Sequence, residues 1–240
     1  MSKKLGIIGG LGPLATAYFY ELICRMTDAG SDQEHIDMVI ISKSSIPDRT
    51  DFILGKSLDN PLPHLIEAGK SLELMGVDVI AIPCITAHYL YKDLSDAIKV
   101  PIIHVIRETV KYLKDRGIKS AGIMATEGTI KSNLFQQELA ENDIRPIIPS
   151  QTGQDYVSGI IYENVKAGLP VNMEHFVKVK EELKDKGADA IILGCTELSI
   201  IKRSENIGPG FIDALEVLAM CSITNCDKKI RKEYWNLITN

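Results

Sequence analysis

No stretch of this 240-residue chain stays apolar for the roughly 20 residues that a membrane-spanning helix needs. Basic residues are not in excess either: 27 Lys and Arg stand against 32 Asp and Glu, a formal net charge of −5. That balance argues against nucleic acid or an anionic membrane as the main partner. Cysteine is sparse. Its five copies, Cys24, Cys84, Cys195, Cys221 and Cys226, are odd in number and irregularly spaced, so they are not a disulfide framework. A cytoplasmic, reducing compartment is expected, where such thiols stay free. There is no Cys-x-x-Cys pair and no close histidine pair, so no metal site is expected. The apolar run at residues 5–8 is cut by Gly9-Gly10 and reads as a first strand, not a signal peptide. Low-complexity tracts are absent.

What is present has the composition of a globular protein, 45% apolar and 25% charged. The chain is long enough for one large domain or two small ones. Its organising feature is an internal echo. Gly187-Ala-Asp-Ala-Ile-Ile-Leu-Gly-Cys-Thr-Glu-Leu198 repeats Gly76-Val-Asp-Val-Ile-Ala-Ile-Pro-Cys-Ile-Thr-Ala-His88. Gly76, Asp78, Ile80 and Cys84 align with Gly187, Asp189, Ile191 and Cys195 at one offset, 195 − 84 = 111. Each copy predicts a buried parallel strand that stops at a cysteine. Ligands of open α/β sheets sit beyond the carboxyl ends of the strands. Two equivalent thiols at two equivalent strand ends therefore suggest one on each side of a shared cleft.

The remaining elements follow the same duplication. Strands are expected at 5–9, 38–41, 79–82 and 101–105, then at 120–126, 145–148, 190–193 and 210–213. Helices are expected at 14–27, 61–75, 89–98, 131–142, 156–167, 176–186 and 214–226. The turn Glu127-Gly128-Thr129 answers Leu11-Gly12-Pro13 at an offset of 116. The pattern predicts an α/β protein of two pseudo-symmetric lobes, each a mainly parallel sheet flanked by helices, with the active site in the cleft between them. The lobes are placed at 1–116 and 117–226, with the final helix free to pack back on the first lobe. Residues 227–240 read as a peripheral tail.

Candidate residues cluster at the predicted strand ends. Cys84 and Cys195 lie just ahead of likely helix starts, where a helix dipole lowers a thiol pKa. Gly10-Leu-Gly-Pro-Leu-Ala15 fits a permissive dinucleotide fingerprint, but strand two runs into Ser42-Lys43 and offers no acidic residue for a ribose. The turn is better read as glycines that let backbone N–H groups approach a small anion. Arg49 sits in a polar loop, 42–50, on the same edge, aimed by Pro47 and Asp48. Tyr162 and Lys166 share a helix face at i, i+4. His88 reads as structural.

These motifs resemble the aspartate/glutamate racemase family of cofactor-independent amino-acid racemases, most of all its aspartate racemases. The likeness runs from about residue 5 to about residue 218. It rests on Gly-Gly-Leu-Gly-Pro13, Ile-Pro-Asp-Arg-Thr50, Pro-Cys-Ile-Thr-Ala-His88, Ala-Thr-Glu-Gly-Thr129, Ile-Tyr-Glu-Asn-Val-Lys-Ala-Gly168 and Gly-Cys-Thr-Glu197. The resemblance implies Cys84 and Cys195 as acid/base thiols and Arg49 and Lys166 as binders of a side-chain carboxylate. It implies Thr86, Thr126 and Thr196, with backbone N–H groups near Gly10 and Leu11, as holders of the α-carboxylate, and Tyr162 as pocket wall. It also implies a homodimer, a small acidic amino acid as substrate (aspartate before glutamate) and no cofactor. One departure stands out: the family's usual asparagine after the first cysteine is Ile85 here, so an amide that could bond the substrate is gone. The alternatives are a related paired-cysteine reaction, such as maleate isomerisation, hydantoin racemisation or broader amino-acid racemisation, and a non-catalytic dicarboxylate-binding protein.

Overall fold

Two parallel sheets carry the chain, and the computed structural model describes residues 3–240; Met1 and Ser2 lie outside the described residues. In the first half come β1 (Lys4–Gly9), α1 (Pro13–Met26), β2 (Asp37–Ser42), α2 (Arg49–Ile53), α3 (Leu62–Leu74) and β3 (Val79–Ala81). A 3₁₀ turn (Ile85–Leu90), α4 (Tyr91–Ala97) and α5 (Val105–Asp115) complete it. The second half runs β4 (Ser120–Ala125), α6 (Glu127–Lys131), α7 (Leu134–Glu141), β5 (Arg145–Ile147) and α8 (Gln151–Gly159). It continues through a π-helical turn (Ile160–Val165), α9 (Met173–Asp185), β6 (Ala190–Gly194), α10 (Thr196–Ser204), β7 (Phe211–Asp213) and α11 (Ala214–Asn225).

The strand orders, β2-β1-β3 and β5-β4-β6-β7, are the same pattern twice, and every ladder is parallel. The counterpart of β7 in the first lobe is only a bridge between Ile80 and Ile102. A strand over 101–105 was expected there. Ile80 N–H donates to Pro101 O and Ile103 N–H to Ile80 O, but Pro101 has no N–H to add and Val105 already begins α5. The polar loop at 42–50 also ends earlier than expected, because Asp48 caps α2. The helix expected at 131–142 is split by Asn133, whose φ of 56° interrupts the α-helical run.

Alternation along the strands decides which core each side chain joins. Leu5 and Ile7 of β1, Ile123 of β4 and Ile192 of β6 face a central core shared by both halves. Ile8 turns to a core confined to the first lobe, and Met124, Ile191 and Leu193 to one confined to the second. Between the sheets lie α1, α5 and α11. In α11, nine of twelve residues are buried, among them Leu215, Val217, Leu218 and Ile223, and the helix packs on α1 and α5. A helix apolar on all sides belongs in such a position.

The tail is not peripheral. Ile230 bridges to Thr27 beside α1, and Ile238 bridges to Ile212 in β7. Leu237 is buried, and its N–H donates to Tyr112 Oη on α5 (2.7 Å). The last residues thus strap the second lobe's edge strand to helices of the first. Among the described residues, no helix is long and apolar enough to cross a membrane.

Candidate active site

Beyond β3, after Ile82 and a bend at Pro83, and directly beyond β6, a cysteine in extended conformation leads into helix. Cys84 (φ −155°) precedes the 3₁₀ turn and Cys195 (φ −146°) precedes α10. Both sulfurs are buried, and both side chains line one small cavity between the lobes. The same cavity is lined by Leu11, Arg49, Ile85, Thr86 and Thr126, and by Tyr162, Lys166 and Thr196. Of the residues expected from sequence, only Gly10 lies elsewhere, in a wider outer hollow.

Arg49 is not a solvated loop residue. Asp48 Oδ1 accepts the N–H groups of Thr50 (2.7 Å) and Asp51 (3.0 Å), and this cap turns Arg49 inward until it is 8% exposed. Its Nη1 donates to the carbonyls of Ile46 and Pro47, and Nη2 to that of Leu11 (3.1 Å). Nε is buried without a protein partner. Three backbone contacts fix the guanidinium and leave one edge for a ligand. Burial alone would lower its pKa, but attraction to Cys84 and Asp48 and a hydrogen bond with Cys84 raise it.

Lys166 reaches across from the second lobe. Its Nζ lies 3.8 Å from Asp48 Oδ2 and 4.5 Å from the centre of the Tyr162 ring. Tyr162 stands on the π-helical turn, a device found often at functional sites. Burial raises the pKa of its phenol despite a hydrogen bond with Thr50. The lobes also meet at Gly128, where a β-carbon would come 3.0 Å from Thr50 Cα.

The hydroxyls of Thr86, Thr126 and Thr129 form a buried triangle, each 3.0 Å from the other two. Thr126 also accepts the N–H of Thr129 as the cap of α6. One hydroxyl comes from the first lobe and two from the second. Thr86 and Thr126 also line the cavity, and each hydroxyl can either donate or accept there. Thr196 Oγ1 instead donates to Glu197 Oε2 (3.2 Å). Ile85, 2% exposed, packs into the central core. Gly10 needs its φ of +88°, and a β-carbon there would strike Lys43 N at 2.4 Å. Its N–H donates to Thr16 Oγ1 (2.9 Å), so it is not offered to an anion as the glycine-turn reading supposed.

Glu197 and Thr50 join the cavity wall beyond the residues expected from sequence, and Asp48, expected only to aim Arg49, lines it as well. Glu197 was visible only as the end of the Gly-Cys-Thr-Glu197 motif. It is 5% exposed, and the Cys195 thiol donates to its Oε2 at 2.9 Å. Cys195 is accordingly pushed well above its ordinary value, by burial first and then by the charge and hydrogen bond of Glu197. The Glu197 N–H and Lys166 pull the other way and lose. The expected lowering by the helix start therefore does not hold at this thiol.

The inner cavity has about 20 Å³ of free space, room for one water. The outer hollow has about 410 Å³ and shares Leu11, Asp48, Arg49, Lys166 and Glu197 with it. The sequence pattern of the family described as Asp/Glu/Hydantoin racemase matches residues 8–221. The chain belongs to this family. As an amino-acid racemase of the Asp/Glu racemase family, it is an isomerase by descent. It is 29% identical over 229 residues to the "Broad specificity amino-acid racemase RacX" of Bacillus subtilis, covering 92% of this chain and 96% of that one. Its fold superposes on the Picrophilus torridus aspartate racemase with a TM-score of 0.83 and 32% identity, covering 97% of each chain. It also matches the D-glutamate complex of a Francisella tularensis glutamate racemase, at a TM-score of 0.62 and 24% identity, over 92% of this chain and 80% of that one. That last likeness speaks for the fold alone. The racemase fold thus brings together residues that are 111 positions apart in the chain, 195 − 84, at the meeting of two sheets.

Proposed function

We propose that the protein racemises an acidic amino acid, aspartate first and glutamate second, without pyridoxal phosphate, by a two-cysteine, two-base reaction. The observation that carries this reading is the shared cavity: one thiol from each lobe, with the Arg49 and Lys166 cations on its wall. Racemisation removes a proton from Cα and returns one on the opposite face. One base serves both faces poorly, whereas two thiols flanking Cα, one ionised and one protonated, serve them directly. The Cα–H is a very weak acid, so negative charge growing on the α-carboxylate must be stabilised. The hydroxyls of Thr86 and Thr126, which line the cavity, would donate to it, with Thr129 behind them holding both in place. The free edge of Arg49 and the Lys166 ammonium would take the side-chain carboxylate and set orientation. Tyr162 would wall the pocket.

An amino acid does not fit in the space of one water. Entry therefore requires the inner cavity to widen toward the outer hollow, with which it shares Asp48 and Lys166. A second reading, broader specificity, is favoured by Ile85 in place of an amide and by the three hydrogen bonds that the guanidinium donates to backbone carbonyls and not to a ligand. A homodimer, as the resemblance implies, and a cytoplasmic location, as the unpaired cysteine count suggests, belong to the same proposal, and light scattering tests the dimer.

The deciding experiment is solvent-deuterium incorporation at Cα across all amino acids of both hands, with chiral chromatography and no added cofactor. Exchange concentrated on aspartate supports the first reading, and a wide substrate range the second. No exchange with any amino acid overturns both.

A further inference from the structure

We propose that Glu197 is a positioning residue that gives the two thiols unequal resting roles, holding the proton on Cys195 so that the free enzyme presents Cys84 as base and Cys195 as acid. The proposal rests on the two-base reading and deepens it. Its ground is the contrast of neighbours. Cys195 faces a buried carboxylate, whose Oε2 accepts from the thiol at 2.9 Å and from Thr196 at 3.2 Å. Cys84 faces a buried guanidinium, locked by the carbonyls of Leu11, Ile46 and Pro47. Two negative charges in contact inside a dry cleft cannot both persist, so one proton stays between Cys195 and Glu197. Tyr162, on the π-helical turn, Lys166, just past its end, and Asp48, beyond them, are the other titratable groups around Cys195. Lys166 is partly neutralised by Asp48 at 3.8 Å and is too weakly placed to offset Glu197. Burial and the Glu197 charge raise the Cys195 pKa together, in agreement with this assignment.

The proton balance is explicit. With the enantiomer whose Cα–H faces Cys84, that bond breaks and an S–H bond forms on Cys84, the electron pair delocalising into the α-carboxylate. The Cys195 S–H bond then breaks as a new Cα–H bond forms on the opposite face. The product leaves behind a Cys84 thiol and a Cys195 thiolate against Glu197. That form is the disfavoured one, and it resets by exchanging protons with solvent. Because the two enantiomers have equal free energy, kcat/KM must be the same in both directions. The imbalance therefore shows as a higher KM and an equally higher kcat for the enantiomer that needs the minor form.

The test titrates each thiol alone by ultraviolet thiolate absorbance, in Cys84→Ala and Cys195→Ala, with the Cys84→Ala/Cys195→Ala double variant as blank. Cys195 is expected to ionise at higher pH than Cys84. Adding Glu197→Gln, which keeps the shape and removes the charge, should lower the Cys195 midpoint by about one to two pH units. Glu197→Asp, which keeps the charge, should retain most of the shift. In the enzyme with both thiols, Glu197→Gln should move the basic limb of the kcat/KM profile to lower pH and bring the KM values of the two enantiomers together. A Cys195 midpoint at or below that of Cys84, or equal effects of Gln and Asp, would overturn the proposal. The titration needs no turnover, so it stands apart from the racemase reading, which fails separately if no amino acid exchanges its Cα proton.

Discussion

Cys84 and Cys195 occupy matching places in the two lobes and have opposite surroundings. The offset of 111 that aligns the thiols also aligns Ile85 with Thr196 and Thr86 with Glu197 (197 − 111 = 86). Two residues past the thiol, one lobe therefore carries a hydroxyl and the other a carboxylate. Thr86 joins Thr126 and Thr129 of the opposite lobe, whereas Glu197 turns back on its own cysteine. One residue past the thiol, Ile85 enters the central core while Thr196 bonds Glu197. Duplication supplied equal placement for two thiols. Divergence at two positions, with Arg49 following β2 where the second lobe sets Lys166 beyond β5, gave them unequal neighbours.

The largest effects should come from the thiols themselves. Cys84→Ala and Cys195→Ala should each lower racemisation by about a thousandfold or more, since either change removes a base or a proton donor. Each variant should still wash deuterium into one enantiomer only, with opposite hands in the two. Full racemisation surviving in either variant would erase the comparison and the two-base scheme with it. Replacing Cys24, Cys221 and Cys226 together should leave the rate near that of the parent.

Arg49→Ala comes next. It removes the cation beside Cys84 and leaves the carbonyls of Leu11, Ile46 and Pro47 without their donor. Activity should fall about a hundredfold, as for loss of an aimed charge. Stability should fall by about 2–4 kcal/mol, read by urea unfolding, because buried acceptors are orphaned. Arg49→Lys should not restore either, since one ammonium cannot serve three carbonyls and a ligand. A variant with normal stability would show that the backbone contacts hold little.

Ile85→Asn sharpens the comparison at the next position. Judged from sequence, an amide there would restore a polar contact with substrate. Ile85 is 2% exposed in the central core, so the change should instead cost about 3 kcal/mol. A rise in aspartate turnover with unchanged melting temperature would refute this.

If Lys166 binds the side-chain carboxylate as proposed, Lys166→Ala should raise KM about tenfold with a smaller change in kcat. Its pair with Asp48 is exposed enough that stability should move by less than about 1 kcal/mol. The smallest effect expected is that of Thr129→Val, which opens the hydroxyl triangle at a cost of about 1 kcal/mol. Thr86→Val should match it in stability. If Thr86→Val alone weakens substrate binding, the triangle is a scaffold and not a shared donor set.

Much of this was legible along the chain. The repeated Gly-x-Asp, apolar run and cysteine predicted two equivalent strand ends, and β3 and β6 lie there in parallel sheets. The mechanism-bearing neighbours were less visible. Glu197 is two residues from Cys195 in sequence, but nothing in that spacing says that its carboxylate folds back on the sulfur while Thr86, in the same slot, does not. Thr129 and Gly128 acquired meaning only when α6 met the 3₁₀ turn and α2 of the other lobe. In α5, Val105, Ile106, Thr109, Val110 and Leu113 follow helical spacing, but the β-branched run behind Pro101 favours a strand over 101–105 and masks the helix start.

What the chain determined by itself is what short-range physics controls. Alternation of apolar residues set the strands, glycine and proline set the turns, and the duplicated pattern set two lobes with a thiol at the end of a strand in each. Tertiary structure alone decided the charges that meet each thiol. Arg49 lies 35 residues before Cys84 (84 − 49), and Asp48 meets Lys166 across 118 residues (166 − 48). Electrostatic coupling depends on distance and burial in space, both of which arise only when the lobes pack across their shared core.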